Sequence, residues 1–169
     1  MPISKAMADA INVQIGNEFA AHFQYLQIAT YFHEDGLPQM GAFFDHQASE
    51  EHDHAMRLLH YLRDTGAKVA IPKIAAPKAT YRSAKEAVSL ALKQEEDVTA
   101  QIDGLANLAI DERDHATRAM LDWFVTEQVE ELDTMGELLQ IVARAGEANM
   151  LLVEEHVRRK AAAEFGTAE

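Results

Sequence analysis

The segment QASEEHDHAMRLLHYL, residues 47–62, carries three acids and three histidines, and Glu51 and His54 among them fall where an ordinary amphipathic helix buries only apolar residues. At three-four spacing, Met40, Phe44, Gln47, Glu51, His54, Leu58 and Tyr61 share one helical face. Three more stripes are interrupted in the same way. Ile11, Ile15, Glu18, His22, Tyr25 and Ala29 form one; Val88, Leu92, Glu95, Thr99, Ile102 and Ala106 form another. The last runs through Leu121, Phe124, Gln128, Glu131, Met135 and Val142. Each is apolar at its ends and broken near its middle by a carboxylate.

Energetics limits what those carboxylates are for. A buried ion without a partner costs several kcal/mol after relaxation, against a total stability of about 5–15 kcal/mol for a domain. No Lys or Arg lies on the four stripes near that level. Shared protons or bound cations remain. His54, three residues after Glu51, is suited to share a metal ion with it. Oxygen donors with one imidazole and no sulfur favour iron or manganese over a structural zinc.

The elements that must position these groups follow from the same periodicity. Helices are expected at about 4–33, 38–65, 83–111, 114–145 and 147–163, forming one domain over residues 1–169. Gly36 with Pro38, and Gly66, punctuate the second helix, while Ser83 with Glu86 three residues on marks the start of the third. A helix of nearly thirty residues is about 42 Å long at ~1.5 Å per residue. The segment 67–82, containing Pro72 and Pro77, reaches roughly 50 Å when extended. It can therefore run the length of a bundle and join two antiparallel pairs in parallel. The expected fold is an all-α four-helix bundle with one long crossover and a short fifth helix. In that topology the four carboxylates meet at one level.

Bulk composition excludes several classes. There are 28 acidic and 15 basic residues, a net charge of −13. Such a surface repels nucleic acid and anionic membranes and concentrates cations. The chain has no cysteine, so disulfides and thiolate chemistry are absent. The stretch MPISKAMADA has no apolar signal core, and no apolar run reaches membrane-spanning length, which makes the cytoplasm the expected compartment.

The segments NEFAAHFQYL, SEEHDHAMRLLHYLRDTG, KQEEDVT and WFVTEQVEEL resemble the bacterial non-haem ferritins, and the similarity runs from the first helix through the fifth. A glutamate from each helix with a Glu-x-x-His motif, all projecting into the bundle core, is the known ligand pattern of ferritin-like di-iron proteins, so this is recognition of an established pattern. The resemblance implies that Glu18, Glu51 and His54 hold one iron. Glu51, Glu95 and Glu131 would hold the second, with Glu51 bridging. It also implies that Tyr25 and Gln128 flank the pair, and that Glu50, Glu127 and Glu130 form a third, transit-type iron site. The chain departs from bacterioferritins in two places. Glu127 is followed three residues later by Glu130 instead of histidine, and His52 stands where those proteins place the haem-ligating methionine. No haem is expected.

The function implied is iron storage. Iron(II) is oxidised at the intra-subunit pair by dioxygen or hydrogen peroxide, and iron(III) is kept as an oxyhydroxide mineral inside a hollow homo-oligomer. The resemblance implies twenty-four subunits. The rivals are a free-standing di-iron oxidase or peroxidase, a DNA-protecting mini-ferritin-like protein, and a non-catalytic helical module. Neither nucleic acid nor membrane is an expected partner. The apolar run Met150, Leu151, Leu152 and Val153 is expected to make contact between subunits, and His22 to be a core histidine bonded to backbone.

Overall fold

A computed structural model describes residues 3–165. Five α-helices follow in order: α1 (Lys5–Glu34), α2 (Pro38–Asp64), α3 (Ala84–Asp111), α4 (His115–Ala145) and α5 (Met150–Phe165), the last preceded by a single 3-10 turn, Glu147–Asn149. Residues at the helix starts explain where each begins. Ser4 Oγ accepts from Met7 N at 2.9 Å, Ser83 Oγ from Glu86 N at 3.1 Å and Asp114 Oδ1 from Thr117 N at 3.0 Å. Pro38 opens α2, where a missing N–H costs nothing. Glu86 does not reach back to the Ser83 amide, as a capping box would; it binds Arg82 N at 2.7 Å and Lys78 Nζ at 2.8 Å. The α3–α4 turn is tight enough to place Arg113 at φ 56°, in the left-handed region.

The crossover runs beside α1 from its start to its end. Asn12 Oδ1 accepts from Ala70 N at 2.6 Å, and its amide donates to Lys68 O at 2.9 Å. Further along, Lys78 N donates to Gln24 Oε1 at 2.9 Å, and Tyr81 packs on Tyr31 with centroids 5.2 Å apart. Gly16 is required on this path, because a Cβ there would sit 2.3 Å from Pro72 Cγ. α2 and α3 therefore run in the same direction, while α1–α2 and α3–α4 are antiparallel pairs.

The bundle core falls into two apolar clusters. One gathers Tyr25, Phe32, Met40, Phe44, Val88, Met135 and Val142 at the α1–α2 turn end; the other gathers Ile11, Ile15, Leu58, Ile102, Leu121 and Phe124 at the α3–α4 turn end. Between them lies a thin polar layer. Each cluster buries large side chains at about 25 cal/mol per Å2, and the two together hold the layer in a fixed register.

α5 packs on the first cluster through Met150, Val153 and Val157. Leu151 and Leu152 point away and are 76% and 70% exposed. The apolar run thus divides, half of it covering its own bundle. α5 also repairs one helix end that lacks a local cap. Leu37 offers α2 no side-chain acceptor, and Glu154 accepts instead from Gln39 N at 3.0 Å and Met40 N at 2.7 Å. In the turn just before α5, Glu147 adds to the Ser83 cap of α3 by accepting from Ala84 N at 3.2 Å.

Candidate metal centre

The polar layer consists of Glu18 from α1, Glu51 and His54 from α2, Glu95 from α3, and Gln128 and Glu131 from α4, all buried. Helical periodicity aims each one inward. Glu18 follows Ile11 and Ile15 on the inner stripe, and Glu95 precedes Ile102 on its own. Glu18, Glu51 and His54 each offer a ligand atom within 4.8 Å of the others, a spacing that one metal ion can span. His54 Nδ1 lies 3.5 Å from Glu51 Oε2. The imidazole is held edge-on by two aromatic rings, Trp123 at 5.4 Å and Phe124 at 5.9 Å between centroids. Trp123 is covered on its other side by Arg57, whose guanidinium carbon sits 4.0 Å from the ring centroid.

The layer is short of donors. Glu18 Oε2 and Glu51 Oε2 are buried without a hydrogen-bond partner. Gln14 Nε2 binds only the other oxygen of Glu18, at 2.9 Å. Glu95 is better satisfied: Tyr25 donates its hydroxyl to Oε1, and Gln128 Nε2 donates to Oε2 at 3.1 Å. Gln128 is itself anchored on Thr99 Oγ1, 3.1 Å away. His22 Nδ1 lies 2.7 Å from Ala48 O, so its ring bonds to backbone and stands outside the layer.

Electrostatics reports the same shortage. Burial, and then the charge of Glu51, hold the Glu18 carboxyl well above the usual range. Burial followed by the charge of Glu95 does the same for Glu51. Burial also raises Glu95, opposed by its bonds from Tyr25 and Gln128. Glu131 is pushed up to about 8, by burial first and by Glu95 and Glu50 next. Burial and Glu95 raise the Tyr25 phenol as well, so it stays a donor. Without a cation the layer must take up protons; with one, the carboxylates become ligands.

The remaining acids named from the sequence line a cavity of about 520 Å3 between α2, α4 and α5, beside Glu131. Glu50 and Glu127 are half-buried there and Glu130 is exposed. Glu127 does not stand apart from the layer, for it forms a second possible metal-holding group with His54 and Glu131. Sequence reading missed Gln14, although a polar residue four positions before Glu18 on one face was the available signal. It also missed the contacts of Trp123 with Arg57 and His54, because helical spacing does not say which residues of α2 and α4 meet.

Residues 8–145 match the Ferritin family, described as a ferritin-like domain. Among curated relatives, Ferritin BfrB of Mycolicibacterium smegmatis is 42% identical over 153 residues, covering 90% of this chain and 84% of that one. A bacterial non-heme ferritin of Staphylococcus aureus is 32% identical over 154 residues, covering 90% of this chain and 93% of that one. Among solved structures, an open pore ferritin from the archaeon Archaeoglobus fulgidus superposes with a TM-score of 0.88 at 30% identity, covering 92% of this chain and 96% of that one. With a family match over most of its length and relatives above 30% identity, the chain belongs to the ferritin family.

Proposed function

We propose that the chain is an iron-storage ferritin and a ferroxidase. Iron(II) is the substrate: Glu18, Glu51 and His54 take one ion, and Glu51, Glu95 and Glu131 take the second. Each iron(II) gives up one electron to dioxygen or hydrogen peroxide, and the iron(III) produced moves on to hydrolyse as an oxyhydroxide in a hollow homo-oligomer of twenty-four subunits. One observation carries this reading. Glu18 Oε2 and Glu51 Oε2 are buried in one layer with no hydrogen-bond donor of their own and no Lys or Arg to neutralise them, an arrangement that hard cations complete.

The chain's own residues do the rest. Glu51 lies between the Glu18 side and the Glu95–Glu131 side and bridges the two ions. Tyr25 and Gln128 orient Glu95, while Trp123 and Phe124 fix the plane of His54. The two apolar clusters exclude water from both ends of the layer. Glu50, Glu127 and Glu130 hold a third, weaker ion in transit between the pair and the mineral. No haem is part of this reading, since His52 occupies the position of the methionine ligand. The net charge of −13 argues against DNA as a partner. Among the described residues no helix is long and apolar enough to cross a membrane, in keeping with action in the cytoplasm. The test is aerobic addition of iron(II) to the apo protein, followed by stopped-flow absorbance and electron microscopy. A large mineral-filled particle is expected; a small, mineral-free one that still oxidises iron points to a free-standing oxidase.

A further inference from the structure

Among the described residues, two groups bring their ligand atoms within 4.8 Å of one another, and one residue belongs to both. Glu18, Glu51 and His54 form the first; His54, Glu127 and Glu131 form the second. Each offers two carboxylates and one imidazole, so an ion passing between them keeps the same donor types. The first group is buried throughout, whereas Glu127 is half-buried and lines the α2–α4–α5 cavity together with Glu131. Glu131 gives an independent reason to place a cation in the second group. It is 5% exposed, and no hydrogen bond or ion pair from a described residue reaches its carboxylate. Gln128, its neighbour on α4, commits its amide to Glu95 and Thr99 instead. His54 is equally unsatisfied, since its 3.5 Å approach to Glu51 Oε2 is too long for an ordinary hydrogen bond.

We propose that His54, Glu127 and Glu131 hold a divalent ion where the layer opens onto the cavity, and that His54 hands ions between this mouth position and the first. The inference rests on the paired-site reading. A neutral imidazole has a single nitrogen free to bind a metal, so His54 serves one position at a time. A carboxylate has two oxygens, so Glu131 can serve the second ion and the mouth together. An ion leaving Glu18 and Glu51 keeps His54 and gains Glu127 and Glu131, which face the cavity. Filling the mouth therefore empties the first position, and exit from the pair becomes an exchange of ligands around one fixed imidazole.

The test uses zinc(II), which keeps one oxidation state, in crystals of the full chain. In Glu18→Ala, which loses a ligand of the first group alone, zinc(II) should bind Glu127, Glu131 and a His54 nitrogen, the last at about 2.0–2.1 Å. In wild type the occupancies of the two His54 positions should sum to no more than one at every zinc(II) concentration. In solution, transfer of bound zinc(II) to a chromogenic chelator should slow about tenfold in Glu127→Gln and recover in Glu127→Asp. An empty mouth in Glu18→Ala, or zinc(II) there without a bond to His54, overturns the inference. Full occupancy of both positions on one His54 overturns it as well, as does release from Glu127→Gln at the wild-type rate. Wild-type crystals with zinc(II) at the mouth at every concentration and never at Glu18 would bring down the paired-site reading instead, and leave the mouth position standing.

Discussion

Glu154 and Glu51 are both buried glutamates with no Lys or Arg against them, and they meet that problem in opposite ways. Glu154 spends both oxygens on the backbone N–H groups that open α2, so its charge is satisfied by the fold. Glu51 leaves Oε2 with no donor, among Glu18, Glu95 and Glu131. The difference separates an acid whose needs the fold meets from one whose needs it leaves open, which burial alone does not do. One end of the bundle is complete as folded, whereas the middle layer keeps buried oxygens that the fold leaves without a donor.

The strongest way to break this comparison is to remove each acid and watch iron. Glu51→Ala should lower the initial rate of iron(II) oxidation by more than about 100-fold, beyond the ~10–100-fold typical of groups that merely orient a ligand. Glu18→Ala and Glu95→Ala, each serving one ion, should lose less, and Glu154→Ala should oxidise iron at the wild-type rate. Stopped-flow absorbance decides; a wild-type rate in Glu51→Ala sinks the bridging role.

The pH dependence of the apo protein sharpens the contrast. Between the ordinary carboxyl value of 4.5 and about 8, the folded chain keeps a proton on Glu131 that the unfolded chain has lost. Unfolding then releases protons, so apo stability falls as pH rises across that window. Glu18, Glu51 and Glu95 are shifted in the same direction and reinforce the trend. Iron(II) or another divalent ion displaces those protons and should reverse the slope. Denaturant melts of apo and anaerobically loaded protein from pH 5 to 8 test this, and an apo stability that climbs with pH would contradict it.

Stability of the two variants in the absence of metal should differ in sign. Glu154→Ala removes a helix cap and should cost ~1–2 kcal/mol, a fall in Tm of a few degrees for a chain of this size. Glu51→Ala removes a buried carboxyl whose Oε2 has no hydrogen-bond partner and should leave the apo bundle equally or more stable. Calorimetry of both, free of metal, checks it; equal destabilisation would erase the distinction. Ending the chain at Gly146 should lower Tm further than Glu154→Ala, because Glu147, Met150, Val153 and Val157 leave as well. Leu151 and Leu152 remain the part of α5 available for contact between subunits.

The smallest expected effect falls on the first irons in Glu127→Ala with Glu130→Ala. The initial oxidation phase should be nearly unchanged, while the iron consumed per oxidant and later turnover should shift. Glu127 lies within reach of His54 and Glu131, so a large loss in the first phase would move it into the paired site and redraw the boundary between pair and transit position.

Much of this arrangement was legible without coordinates, for a physical reason. Which face of a helix a residue occupies is set by local spacing, so Glu18, Glu51, His54, Glu95 and Glu131 declared themselves on apolar stripes. The reach of residues 67–82 then implied the parallel join that levels them. What periodicity cannot say is which atom meets which across helices. That Gln14 holds Glu18, and that Tyr25 and Gln128 divide the two oxygens of Glu95, are results of packing. The division of the α5 apolar run was equally hidden, since Met150 and Val153 face the bundle and Leu151 and Leu152 face outward only once α5 has docked on α2 and α4. Glu154 shows the limit most sharply. The sequence supplied the acid, but the backbone amides it caps lie 114 and 115 residues away, and only the folded chain brings them to within 3.0 Å.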